Sequence, residues 1–263
     1  MAEGCLGVVL RTTPLRESDL LVTLYTDAHG RVSAVARGAR RSQRRFAGAL
    51  SLLVLGRYQL GRRPRGELWG LDAAEVVREW TRLSSDVVGV AHASYAAELV
   101  GALLPPEAPD PHALEVILAL WDSLAEAGPS PGALRAVELA LLALAGHEPA
   151  LERCAACGEL DLETGAVFDP TRGGTICRRC AARSRGPNVR PIDAAARAYL
   201  AAVGALDTPA AARAVDTDPR FGPADRAAAR DALVSMVTAL VDRPLRSLEY
   251  IAKLGAAQRR GEP

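Results

Sequence analysis

Two cysteine pairs, Cys154-Ala-Ala-Cys157 and Cys177-Arg-Arg-Cys180, stand 19 residues apart in a chain of 263. No other feature restricts the fold as tightly. Cysteines separated by two residues place both thiols on one side of a tight knuckle, and two knuckles supply four sulfur ligands to one tetrahedral ion. Gly158 permits the turn of the first knuckle, and Gly165, Gly173 and Gly174 mark a hairpin that returns the second knuckle to the first. The segment has too few apolar residues to fold by itself. A structural zinc ion, with roughly 10–16 kcal/mol of apparent binding energy, would supply the deficit. Disulfides and a redox dithiol are the competing readings; a disulfide framework belongs to oxidising compartments, and a redox pair needs a different setting. The expected metal ligands are Cys154, Cys157, Cys177 and Cys180, and four thiolates leave no open position for catalysis. Cys5 stands apart in an apolar run and is expected to be buried.

Charge is the second constraint. Between Arg31 and Gly66 the chain holds ten arginines and no Asp or Glu, although its net charge is only +1. Guanidinium groups are planar, permanently charged and bidentate, which suits phosphate. A solvated basic face is the plainer explanation, but such faces mix signs, and this stretch does not. Arg37, Arg40, Arg41 and Arg44 are therefore expected to contact DNA phosphates, with Arg62 and Arg63 flanking them. Residues 1–80 carry 13 basic and 8 acidic side chains, whereas 81–150 carry 2 and 9. A basic end followed by an acidic block suggests two modules with different partners.

The predicted fold class is α+β. Apolar runs at Cys5–Leu10, Leu20–Tyr25, Val32–Ala36, Leu50–Leu60 and Glu67–Ala74 read as five short strands separated by turn residues. Such a pattern fits an OB-fold barrel, whose open face binds nucleic acid. The Arg37–Arg45 loop would join the third and fourth strands. Glu17 and Asp19 read as turn residues rather than a catalytic carboxylate pair, His29 as a hairpin residue, and Trp69 as core rather than a base-stacking platform. After residue 80 the periodicity turns helical: Ser84–Leu104, Ala113–Ala127 and Ala133–Ala145, then Ala194–Val203, a helix beginning at Pro223 and Leu245–Leu254. Leu114, Ile117, Leu118, Trp121 and Leu124 make one apolar stripe, and Asp110-Pro111 supplies its N-terminal cap. The expected domains are a barrel over 1–80 and a helical domain over 81–263, the latter carrying the cysteine segment as an insertion at 150–186. His92, His112 and His147 are scattered and show no metal-binding spacing. No window is long and apolar enough to cross a bilayer, and the start Met1-Ala-Glu-Gly has no secretory pattern, so a cytoplasmic location is expected.

The run Gly7-Val-Val-Leu-Arg-Thr-Thr-Pro-Leu-Arg-Glu-Ser-Asp19, with Leu24-Tyr-Thr-Asp-Ala-His-Gly30 and Val35-Ala-Arg-Gly-Ala-Arg40, resembles the N-terminal domain of the RecO family of recombination mediators. The likeness continues through Arg45-Phe46, Leu50 and Glu67-Leu68-Trp69, and returns at Arg243-Pro-Leu-Arg-Ser247. It implies a protein that binds single- and double-stranded DNA, anneals complementary strands, and works with RecR to load RecA. It also implies a helical domain that engages the acidic C-terminal tail of single-stranded DNA-binding protein. Such a tail needs an apolar pocket and a cation. Arg82 and Arg135 are the only basic residues between 81 and 150, which makes Arg135 the candidate, unless Arg153, Arg178 or Arg179 folds over to help. A plain pairing of Arg135 with a nearby Glu explains it equally well. Some members of the family lack the four cysteines, so the metal need not be essential to the family's function; here it is expected to order a surface on which Arg172, Arg178, Arg179, Arg183 and Arg185 form a second basic patch. The sequence has no phosphate loop, catalytic triad or dinucleotide fingerprint, so no enzymatic activity is expected. The alternative is a zinc-ribbon adaptor, for example in transcription, whose basic loops take an acidic protein partner.

Overall fold

The computed structural model describes residues 3–63, 68–162, 165–184, 186–241 and 243–260. The chain divides into two compact units: Met1–Gly128 with Ser247–Pro263, and Pro129–Arg246. Arg65, Arg185 and Glu67, the expected start of the fifth strand, lie outside the described residues.

The first unit is built on a closed five-stranded barrel of the OB type: β1 (Glu3–Pro14), β2 (Leu20–Thr26), β3 (Gly30–Ala36), β4 (Val54–Gly61) and β5 (Trp69–Glu79). β1 pairs antiparallel with both β2 and β4, while a short parallel pairing of Ala34–Ala36 with Trp69–Leu71 closes the ring. Side chains at alternate positions, among them Val22, Leu24, Val32, Ala34, Tyr58, Leu60 and Leu71, fill the interior. The fourth strand begins at Val54 rather than Leu50. Ala47 and Leu53 take left-handed backbone angles (φ 28° and 62°), so the apolar run first forms a turn. One helical turn, α1 (Gln43–Phe46), lies inside the arginine loop and seats Phe46 in the barrel core.

β5 leads into α2 (Thr81–Ser84), α3 (Val87–Leu103) and α4 (Pro111–Ala127). Asp86 caps α3 by accepting the Val88 N–H, and Asp110 caps α4 by accepting that of His112. Gly128, at φ 72°, ends α4. Trp80 meets Trp121 edge-on at 5.1 Å and donates its indole N–H to Asp122. Leu118 is only half-buried and Leu120 fills the core instead, a small rotation from the expected stripe. The connector between α3 and α4 is strapped to the barrel. Arg31 Nε donates to the Leu104 carbonyl, the Glu107 N–H to the Arg31 carbonyl, and Tyr25 Oη to the Asp110 carbonyl, all at 3.0–3.1 Å. Gly30 makes room for this strap, since a Cβ there would stand 2.4 Å from the Ala108 carbonyl oxygen. Unit 1 thus adds two long helices, and the last helix (Arg246–Arg260), to the barrel that the sequence outlined over 1–80. Glu98 of α3 accepts the Ser247 N–H at 2.9 Å.

The second unit contains α5 (Pro131–Leu144), the three-stranded sheet of β6 (Val167–Asp169), β7 (Gly174–Ile176) and β8 (Arg190–Pro191), then α6 (Arg178–Ala181), α7 (Ala194–Gly204), α8 (Pro209–Ala212) and α9 (Pro223–Leu240). Val137, Leu141, Leu142, Tyr199, Leu200, Leu233 and Val237 are buried among α5, α7 and α9. Asp216 ties the ends together, accepting from Ser130 Oγ at 2.6 Å, the Gly132 N–H at 3.0 Å and Tyr199 Oη at 2.8 Å.

Candidate functional site

The two arginine clusters meet at one end of the barrel. Arg37 and Arg45 from the β3–β4 connection, and Arg62 and Arg63 from the end of β4, line one cleft of about 790 Å³ with Val35, Gly61, Gly70, Leu71 and Asp72. The cleft sits where β3 and β5 run parallel, beside the short pairing that closes the barrel. Four guanidinium groups against one lining carboxylate make the cleft basic.

The loop that carries Arg37–Arg45 is held in shape by the β1–β2 turn. Asp19 Oδ1 accepts the Gly38 N–H at 2.9 Å, and the Ser18 carbonyl accepts the Arg40 N–H at 3.0 Å. The Gly38 bond, helped by the Ser18 hydroxyl and the charges of Arg16 and Arg37, outweighs desolvation and holds the Asp19 carboxyl below its ordinary 3.8. Gly38 has φ 65°, the left-handed turn that bends the loop back. Arg40 Nη1 donates to the Glu17 carbonyl at 3.0 Å, and Arg41 lies 3.5 Å from the Glu17 carboxylate, both groups largely exposed. Arg44 is exposed and has no partner among the described residues. Arg45 stacks on Phe46 at 5.1 Å and donates to the Arg37 carbonyl. Glu17 and Asp19 are thus the braces of an arginine-rich loop, a role reached across some twenty residues of sequence that no local pattern could reveal.

Arg62 is engaged differently from the loop arginines. It stacks over Trp69 at 4.6 Å and pairs with Glu107, whose other oxygen accepts the Trp69 indole N–H at 3.0 Å. The Trp69 hydrogen bond first, and Arg62 after it, hold the Glu107 carboxyl below its usual value against desolvation. Arg63 reaches the Val35 carbonyl at 3.3 Å. Trp69 is 7% exposed and packs against His29, which makes it core rather than a stacking platform.

The four cysteines of unit 2 come together. The Sγ atoms of Cys154, Cys157, Cys177 and Cys180 all lie within 4.8 Å of one another. Cys157 and Cys177 are 3.9 Å apart, close to the ~3.8 Å edge of a tetrahedron with ~2.3 Å metal–sulfur bonds. Each knuckle closes with a backbone bond, Gly158 N–H to the Cys154 carbonyl and Ala181 N–H to the Cys177 carbonyl, both at 2.8 Å. Gly158, Gly165, Gly173 and Gly174 all have positive φ, as the turns around the knuckles require. Burial opposes ionisation of Cys154, but N–H donors from Cys177, Ala156 and Cys157 prevail and hold its thiol at about 6. Its three neighbours push Cys180 up to about 12. The donor set fits a metal ion that binds soft sulfur.

Arg135 is not at the surface. It is 4% exposed inside α5 and pairs with Glu138, itself fully buried, with Nη2–Oε1 at 2.8 Å. Its charge is matched within the core by Glu138, the plain pairing that the sequence offered as the alternative to a tail-binding role. Elsewhere in unit 2, α5 and α7 border a groove of about 690 Å³ lined by Ala136, Leu139, Leu160, Leu200 and Leu206, with Glu148, Glu152 and Arg153 at its edge. No helix among the described residues is long and apolar enough to cross a membrane.

Residues 1–80 match the family model described as Recombination protein O N terminal, and residues 84–249 match Recombination protein O C terminal. The chain is similar to "DNA repair protein RecO" of Anaeromyxobacter sp. (strain K), with 39% identity over 250 residues and 95% of each chain covered. It is 37% identical to that of Symbiobacterium thermophilum over 266 residues, covering 96% of this chain and 97% of the relative. The RecO of Myxococcus xanthus (strain DK1622) is 33% identical over 249 residues, covering 95% and 96%.

Proposed function

The chain belongs to the RecO family of DNA repair proteins, and from that premise we propose that it serves recombination repair as a binding mediator with no catalytic step of its own. The observation that carries this reading is the convergence of Arg37, Arg45, Arg62 and Arg63 on one cleft, beside the braced loop bearing Arg40, Arg41 and Arg44. These arginines neutralise phosphates of single- or double-stranded DNA without reading bases, so binding is salt-dependent and independent of sequence. Neutralised strands repel each other less, and complementary ones anneal. The four-cysteine cluster holds Zn2+ as a closed structural site, which stabilises the knuckles and presents no open position for substrate.

Protein partners follow from the family. With RecR, this chain helps load RecA onto DNA coated by single-stranded DNA-binding protein, and it docks that protein's acidic C-terminal tail. With Arg135 enclosed, the α5–α7 groove is the better seat for the tail: Leu139 and Leu200 offer apolar surface, and Arg153 supplies the cation. Removing the tail should abolish this contact, and Arg153→Glu should weaken it.

Annealing tests the central reading. Metal-loaded protein is mixed with two labelled complementary oligonucleotides in the absence of any nucleotide cofactor, and duplex formation is followed by fluorescence. Pairing faster than the spontaneous rate is expected. No affinity for either strand would favour the zinc-ribbon adaptor and remove the mediator.

A further inference from the structure

The cysteine insertion divides its charge unevenly, with Arg153 the one basic residue of its first half. Its exposed acids Glu152, Glu159 and Asp161 flank the first knuckle, whereas Pro170–Ser184 holds Arg172, Arg178, Arg179 and Arg183, all exposed, and no acidic residue. A zinc tetrathiolate carries a net charge of about −2 and attracts compensating cations. Charge compensation is therefore the first explanation to weigh. It accounts for Arg179, whose guanidinium donates to Cys157 Sγ at 3.9 Å. It does not account for the other three. Arg172, Arg178 and Arg183 have no ion-pair or hydrogen-bond partner for their guanidinium groups among the described residues. In the barrel region Arg40 and Arg41 lean on Glu17 and Arg62 on Glu107, whereas Arg44 stands unpartnered among the described residues. Unpartnered guanidinium groups thus stand in both regions, three of them on the second knuckle.

The knuckle also fixes them in place. Arg178 begins the short helix α6, with its side-chain carbons packed over Gly165. Arg172 ends the turn before β7, and Arg183 follows α6. Gly173, at φ 76°, separates Arg172 from the hairpin return. Three unpaired cations on a metal-stapled hairpin form a preorganised polyanion surface, at a lower ordering cost than a free basic loop.

We propose that the second cysteine knuckle is a second phosphate-binding surface, carried by the second compact unit, which holds one nucleic-acid strand while the barrel loop holds another. The inference rests on the barrel being the first such site. It deepens the annealing role, because a single chain would then bring two strands together rather than only reducing their repulsion.

Stoichiometry decides. A non-complementary oligonucleotide of about 10 nucleotides, within the ~4–16-nucleotide span of one OB-type site, is titrated into metal-loaded protein at low salt. The number bound per chain is read by native mass spectrometry. Two bound strands are expected for wild type, one for Arg172→Gln/Arg178→Gln/Arg183→Gln, and two again when the same positions are Lys. One strand on wild type, or two on the Gln variant, overturns the proposal. Arg37→Ala/Arg40→Ala/Arg41→Ala/Arg44→Ala should also bind one strand; if it still binds two, the barrel reading fails while the knuckle variant separately decides this one. Should the Gln variant lose its metal, Arg172→Glu/Arg183→Glu, which leaves α6 intact, takes its place: one strand supports the surface, two removes it.

Discussion

Asp19 and Gly38 are joined by a hydrogen bond of 2.9 Å from the Gly38 backbone N–H to the Asp19 carboxylate. The β1–β2 turn thereby holds the base of the arginine loop. Asp19→Ala should loosen that loop, lowering oligonucleotide affinity several-fold while leaving metal content unchanged. Limited proteolysis should show faster cleavage within Arg37–Arg45. The bond also sets a pH dependence. Because the folded carboxyl titrates below its ordinary 3.8, its contribution is complete above the unfolded value and is lost as pH falls through the depressed one. Loop protection, followed by proteolysis with an acid-tolerant protease, should therefore hold at mildly acidic pH and fail only below the normal aspartate range.

Glu107 occupies Arg62. Its carboxylate takes Arg62 and the Trp69 indole together, from a residue at φ 56°, a left-handed angle uncommon outside glycine. Glu107→Gln keeps the indole bond and removes the charge. Arg62 is then free to meet a phosphate, and the salt slope of single-strand binding should steepen by about 0.7. An unchanged slope would mean that Arg62 serves only to clamp Trp69.

Arg135 and Glu138 form an enclosed pair, 4% and 0% exposed. Removing one partner of such a pair strands a buried charge, at a cost of about 3–5 kcal/mol. Arg135→Ala should therefore lower the melting temperature of the second unit sharply. Arg135→Leu/Glu138→Leu should recover most of the loss, because an apolar pair leaves no charge unmatched. Recovery in the double variant identifies a structural pair; loss of tail binding in a fully folded variant would instead restore the partner role.

Much of this architecture is legible in the sequence, because strands and knuckles are written locally. Short apolar runs mark β2, β3 and β4, and Cys-x-x-Cys with a following glycine marks a knuckle wherever it occurs. Asp110-Pro111 and Gly128 announce both ends of α4 as they stand. What escapes is whatever joins distant segments. Asp19 lies 19 residues from Gly38, and Glu107 lies 38 from Trp69. Neither spacing has a periodicity, so Glu107 offered no sign that it would occupy an arginine of the cleft. Arg135 and Glu138 are the instructive middle case. Their i, i+3 spacing on an almost wholly apolar helix is itself a pairing signal, since an unpaired charge could not be buried there.

Metal removal should act on one unit only. Cys177→Ser takes away one of four thiolates, and the knuckle residues have only a small cluster around Leu162, Ala166 and Ile176 to hold them. Zinc content by elemental analysis should fall, and hydrogen exchange across 150–184 should rise. The barrel core, which contains no part of the cluster, should keep its protection. Freshly purified wild-type protein without zinc would remove the metal assignment.

The most direct measurement is a salt titration of single-strand binding, wild type against Arg37→Ala/Arg40→Ala/Arg41→Ala/Arg44→Ala. Each phosphate neutralised contributes about 0.7 to the slope of log affinity against log salt, so removing all four arginines should flatten it by roughly 3. The effect should be the same for all base sequences. Metal content and thermal stability should stay near wild type, because exposed arginines on a loop contribute little to folding. A flattened slope places phosphates on the barrel loop. Parallel slopes for the two proteins would contradict it, leaving the loop a solvated face.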